Sequence, residues 1–182
     1  MPGPVAEAPS EFSRIVTPDR LGGPKLVESL EATSAERAAV ARRLGILAVD
    51  RLVAELAVKA FGGGLYRVEG GWEATVSQAC VVTLEPVEAG LSGRVEATYE
   101  AADSVVAGEG GEVTVDPEAA DPAEILPPEG IDLGELVVQE LAVALDPYPR
   151  APGAEVPAEY RPPEAEEETG PFAALKALKG DR

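Results

Sequence analysis

Hydrophobic positions along the chain change period several times, and each change predicts a new element. Phe12 to Thr17 reads as a short strand that stops before Pro18. Thr33 and Glu36 then stand at capping-box spacing ahead of the alanine-rich AERAAVARRL, and Gly45 follows where a helix C-cap glycine belongs. That pattern predicts a helix over about residues 34–44. From Ile46 the period falls to two. Leu52, Ala54, Leu56, Val58 and Ala60 alternate with a face bearing Arg51, Glu55 and Lys59, the signature of a half-buried strand. Two further strands are predicted at Leu65–Glu69 and Trp72–Leu84, with Gly70-Gly71 read as the hairpin turn between them. Gly62-Gly63-Gly64 reads as the turn before, where glycine adopts positive φ without steric cost. Leu91, Gly93, Val95, Ala97 and Tyr99 then face away from Ser92, Arg94, Glu96 and Thr98, the cleanest alternation in the chain. Consecutive strands joined by short turns imply an α+β fold: an antiparallel β-meander or small barrel-like sheet with two main helices and a disordered acidic loop and tail.

Residues 100–130 carry Glu, Asp, Gly and Pro with little apolar periodicity, which reads as a mobile acidic loop. Order returns at Asp132, a helix N-cap residue. Leu133, Leu136, Val137, Leu141, Ala144 and Leu145 form one apolar stripe until Pro147, with Glu135, Gln139 and Asp146 opposite. At about 100° per residue, Glu140 falls about 20° from Leu133, inside the stripe. Such a carboxylate pairs with an arginine of the sheet or first helix, lies at the shallow end of the stripe, or presents charge at the edge of a protein-binding surface. Beyond Pro149 the composition is that of a linker, with the acidic cluster Glu164, Glu166, Glu167 and Glu168. The terminal PFAALKALK departs from it: Phe172, Ala174, Leu175 and Leu178 make one apolar face after Pro171. Too short to be stably helical alone, it needs its own domain or a partner to dock on. The expected organisation is a flexible lead at 1–11, a single α+β domain at 12–150, and an acidic, proline-rich tail at 151–182.

Charge divides the chain. Residues 1–99 hold 13 acids against 10 Lys/Arg, and residues 100–182 hold 20 against 5. With a net charge of −18 and a pI near 4.3, the chain would be repelled by bare phosphate backbone, so contact with RNA is expected to run through a basic protein. A length of 182 residues and 45% hydrophobic content suit one aliphatic core. The opening MPGPVAEAPSEFSR lacks a basic segment followed by an apolar one, and no run of about 20 apolar residues occurs, so a cytoplasmic location without membrane association is expected.

The absence of histidine removes Ser–His and Cys–His catalysis and His-containing zinc sites from this chain alone. The glycine run at 62–64 lacks the Lys-Ser/Thr of a phosphate cradle. Cys80, the single cysteine, shares strand parity with Trp72, Ala74, Val76, Val82 and Leu84 and reads as a buried core thiol. Asp116 and Asp121, with Glu112, Glu118 and Glu124, form an oxygen-rich stretch. Its spacing is not that of an EF-hand loop, and it offers no rigid scaffold for catalysis.

Three segments, Cys80-Val-Val-Thr-Leu-Glu-Pro-Val87, DLGELVVQELAVALDPYP and PFAALKALK, occur in an order that resembles the YceD family, over roughly residues 12–179. The resemblance implies a role in accumulation or processing of large-subunit (23S) ribosomal RNA, with no established enzyme chemistry and no required cofactor. It carries Asp132, Leu136, Glu140 and Leu145 over to the helix motif and Pro171, Phe172, Leu175 and Lys176 to the terminal one. Together with Leu178, these residues except Leu145 are the candidate partner-binding positions. Relatives often carry a second cysteine three residues after the first, which implies a metal or redox site; here that position is Thr83. The expected function is a non-enzymatic ribosome-biogenesis factor, favoured as a monomer, that engages a large-subunit precursor or a basic ribosomal protein. The alternatives are a metal-dependent RNA-processing enzyme built on Asp116 and Asp121, and a general acidic chaperone.

Overall fold

The computed structural model describes residues 10–23, 25–102 and 123–160. The chain runs β1 (Ile15–Val16), a 3-10 turn (Pro18–Gly22), β2 (Lys25–Glu31), α1 (Ser34–Leu44), β3 (Ala48–Gly62), β4 (Leu65–Ala79), β5 (Pro86–Glu100), β6 (Glu124–Ile125), β7 (Ile131–Asp132), α2 (Leu133–Ala144) and a short 3-10 turn at Ala158–Tyr160. Five strands form one sheet in the order β2-β3-β4-β5-β6, antiparallel except for the β5–β6 pair, and β1 pairs with β7 beside it. This is an α+β fold with a β3-β4-β5 meander at its centre.

Each helix follows from local chemistry. Thr33 and Glu36 make the reciprocal capping box of α1, and Gly45 ends the helix at φ 67° with its N–H on the carbonyls of Ala41 and Arg42. Both helices pack on one face of the sheet, α1 against β3 and α2 against β5. Leu52, Leu56, Val68, Val76 and Val95 from the sheet meet Val40 from α1, Leu133, Val137 and Leu141 from α2, and Phe12 and Val16 from the N-terminal segment. The alternation of β5 is as expected, with Val95 and Tyr99 inward. The opposite sheet face carries the ion pairs Arg51–Glu73, Lys59–Glu69 and Arg67–Glu96, which suits a solvated surface.

Gly70-Gly71 is not a turn. β4 continues straight through it: Gly70 faces Leu56 and Val95, and Gly71 faces Glu55 and Arg94. The glycine serves close approach instead, since a Cβ on Gly70 would stand 2.7 Å from Leu56 Cδ2 and 2.8 Å from its Cα. The turn lies where the other glycine run is, at Gly62, Gly63 and Gly64, all with positive φ. β4 also ends at Ala79 rather than Leu84, so Cys80 lies in the turn that follows, fully buried but off the strand. Of the acidic loop expected at 100–130, residues 103–122 lie outside the described residues, as does the tail from 161, but its last part is not structureless: Glu124–Ile125 form β6 beside the end of β5, and the Gly130 N–H closes a turn on the Pro127 carbonyl.

Candidate functional site

The start of α2 is held by one carboxylate. Asp132 Oδ1 accepts hydrogen bonds from the backbone N–H groups of Gly134 at 3.0 Å and Glu135 at 3.2 Å, the two N-cap bonds, and from Arg14 at 2.7 Å across the fold. The Leu133 N–H donates to the Arg14 carbonyl at 3.0 Å, while its side chain is fully buried. Gly134 is required by approach: a Cβ there would stand 2.8 Å from the Phe12 carbonyl carbon and 3.2 Å from the Arg14 nitrogen. The Asp-Leu-Gly of the helix motif thus clamps the N-terminal segment onto α2. Leu136 is half-buried against the core edge. Glu140 is half-buried too, and among the described residues it forms no ion pair with an arginine.

Beside the clamp runs a groove of about 680 Å³, bounded by residues 10–15, the end of β5, the 124–130 segment and the first turns of α2. Arg43, at the C-terminus of α1, spans one side, donating to both oxygens of Glu135 at 2.6 and 2.7 Å and to Glu11 at 3.1 Å. The Arg43 hydrogen bonds hold the Glu135 carboxyl down at about 2. Tyr99 lies in the wall, 6% exposed. Burial first, then the negative charges of Glu124 and Asp132, push that phenol up to about 12. The structure thus brings Asp132 and Leu136 together with Arg43, Tyr99, Glu124 and Glu135, which the sequence did not single out as a site. Arg43 and Glu135 are 92 positions apart, so no local spacing links them. Pro171, Phe172, Leu175, Lys176 and Leu178 lie outside the described residues, as do Asp116 and Asp121.

The metal or redox site implied by the family resemblance does not fit the residues at Cys80. Its Sγ accepts N–H bonds from Val82 and Thr83, each at 3.4 Å, and from Ala151 at 3.3 Å. No histidine and no second cysteine exist in the chain, and a structural zinc needs four such ligands. The sulfur instead joins the 80–85 turn to the segment after α2, alongside the Val81 N–H on the Pro149 carbonyl at 2.8 Å and Gln78 Nε2 on the Asp146 carbonyl at 2.8 Å. The Ala151 N–H, the Thr83 side chain and the remaining amides lower the thiol to about 6 against the opposing effect of burial.

Among the described residues no helix is long and apolar enough to cross a membrane. No curated protein and no solved structure matches the chain. A family model does, described as large ribosomal RNA subunit accumulation protein YceD, over residues 68–179. That stretch runs from near the start of β4 through the Cys80 turn and α2 to the terminal motif, more than half of the chain. The chain therefore belongs to the YceD family, the large ribosomal RNA subunit accumulation proteins.

Proposed function

We propose that this protein is a non-enzymatic ribosome-biogenesis factor of the cytoplasm, which supports large-subunit rRNA by binding a basic ribosomal protein or a basic surface of the precursor particle. The family match carries the link to large-subunit RNA. The charge distribution supplies the mechanism: 20 acids against 5 Lys/Arg in residues 100–182 repel phosphate and attract a cationic protein before RNA does. Glu140 and Leu136 on α2, with Phe172, Leu175, Lys176 and Leu178 of the terminal motif after Pro171, are proposed to supply the anchors that charge alone does not.

The test is affinity capture with tagged full-length protein from low-salt and high-salt lysates, beside a variant truncated after Glu168. Recovery of large-subunit proteins or precursor RNA at low salt, reduced at high salt and by truncation, is the expected result. No ribosomal component at either salt rejects the reading. Recovery independent of salt rejects the electrostatic mechanism.

A further inference from the structure

We propose that the free edge of β5, with the flank of α2 that overhangs it, is the docking site for an extended basic segment of the protein partner, which joins the sheet as a further strand; this rests on the function proposed above and names its contact surface. β5 runs for 15 residues and pairs with β4 along its whole length, without the register shifts that interrupt the β3–β4 pair. On its other side only Tyr99 and Glu100 are paired, by β6. Residues 86–98 therefore present backbone N–H and C=O groups with no partner strand on that side among the described residues. Sheet edges are ordinarily blunted by lysine, proline, a bulge or an inward-pointing charge. The opposite edge, β2, is of that kind: seven residues long, it begins at Lys25 and turns Glu28 inward. β5 has Pro86 at its first position and Arg94 as its one cation, and is otherwise a long, regular template.

The helix completes the site. α1 packs on β3 and α2 on β5, so the flank of α2 turned away from α1 overhangs the free edge. Glu135 reaches Arg43 of α1, and at about 100° per residue Glu140 stands about 140° round the helix from it, on the far flank with Leu136. Beneath, Ala89, Leu91 and Ala97 of β5 pack on the core yet stay half-buried. An added strand finds main-chain bonds along the edge and an apolar floor for alternate side chains. Trp72, the single tryptophan, marks the same place: its indole lies on Gly93 of β5, where a Cβ would stand 2.8 Å from Nε1, and that buried N–H has no acceptor among the described residues. Buried donors are rarely left so. Charge selects the occupant. Glu88 and Glu140 form no ion pair among the described residues, and α2 carries no Lys or Arg. A cationic strand is attracted here, whereas a second copy at −18 and this chain's own residues 103–122, with six acids and no Lys or Arg, are repelled.

The experiment titrates the full-length protein with a capped peptide of alternating lysine and valine, followed by Trp72 fluorescence and by amide hydrogen exchange resolved by residue. Its controls are the glutamate–valine counterpart and a fully N-methylated lysine–valine peptide, which keeps the charge and loses every backbone N–H. The expected result is a saturable fluorescence change with the plain lysine–valine peptide alone. Alternate amides within 87–98, open to exchange in the free protein, should slow about tenfold or more while those of β2 do not change. Glu140→Lys should weaken binding about tenfold, and the N-methylated peptide tests the edge without altering the protein. Equal binding by either control, equal protection of β2, or no new protection in β5 overturns the proposal. So do β5 amides that are all protected in the free protein, which would mean that its own chain fills the edge, and protection that rises with protein concentration, which would mean that a second copy does. If the edge fails while low-salt capture still recovers large-subunit components, the functional reading stands and only the edge is rejected. Docking of the peptide without any captured ribosomal component upholds the edge and rejects the reading.

Discussion

Replacing Asp132 with alanine separates a structural carboxylate from a merely acidic surface. One oxygen serves three backbone N–H groups, those of Arg14, Gly134 and Glu135. Loss of an N-cap acceptor costs about 1 kcal/mol, and the negative charge at the helix N-terminus adds roughly 0.5 kcal/mol. The Arg14 N–H, held across the fold and only partly solvated, adds about 1–2 kcal/mol when left without its acceptor. The total is about 3 kcal/mol, which for a domain of this size lowers the melting temperature by roughly 10 °C. Asp132→Asn keeps the acceptor oxygen and loses only charge, so it should cost about 1 kcal/mol or less. Urea unfolding of the full-length variants, followed by circular dichroism, gives both values. Equal loss in the alanine and asparagine variants would show that charge, rather than the three-way hydrogen bond, holds the N-terminal segment to α2. A negligible loss in both would refute the clamp altogether.

Neighbouring glycines of β4 should respond oppositely. Gly70→Ala drives a methyl into Leu56 and should destabilise by about 2 kcal/mol, whereas Gly71→Ala, whose Cβ meets nothing nearer than the Gly93 carbonyl at 3.8 Å, should be neutral or stabilising by about 0.5 kcal/mol; equal penalties would restore the turn. Acid should weaken the fold over a defined window: Glu36 and Glu135 are held by Arg14 and Arg43 at about 2 rather than 4.5, so their stabilisation is complete above 4.5 and is lost as pH falls towards 2. Thermal melts of Glu135→Gln should decline less across that range, and an unchanged slope would contradict the pairing. Cys80, lowered from 9.0 to about 6, contributes stability that is fully present above 9.0 and is lost as pH falls through 6, so melting temperature should rise across that interval in the parent and stay flat in Cys80→Ala.

What the sequence revealed depended on how local the cause was. The α1 capping box sits within four residues and the α2 stripe within one helix, so both were legible, as was the Gly62–Gly64 turn. β2 was not, because its inward face is Leu26, Glu28 and Leu30 while Val27 faces out, and the inward acid is explained only by Arg20 in the preceding turn. The Gly70-Gly71 pair misled for a related reason: glycine signals either positive φ or close approach, and the deciding neighbour, Leu56, lies on another strand. Cys80 was correctly placed inside, but its strand ends one residue earlier, where the sulfur starts to accept amides of its own turn. Asp132 was legible as a cap, yet its third bond, to Arg14, spans 118 positions. The groove is the furthest from local pattern. Tyr99 was assigned to an alternating face, but that it lines one groove with Glu124 and Asp132 is a property of the folded chain alone.

The most direct test places a photoreactive amino acid at Gln139, on the groove rim, in the full-length protein and cross-links it in low-salt lysate. The account predicts linked peptides rich in lysine and arginine from large-subunit ribosomal proteins, lost at high salt. Cross-links to RNA alone, or to proteins without basic segments and without any ribosomal connection, would contradict it.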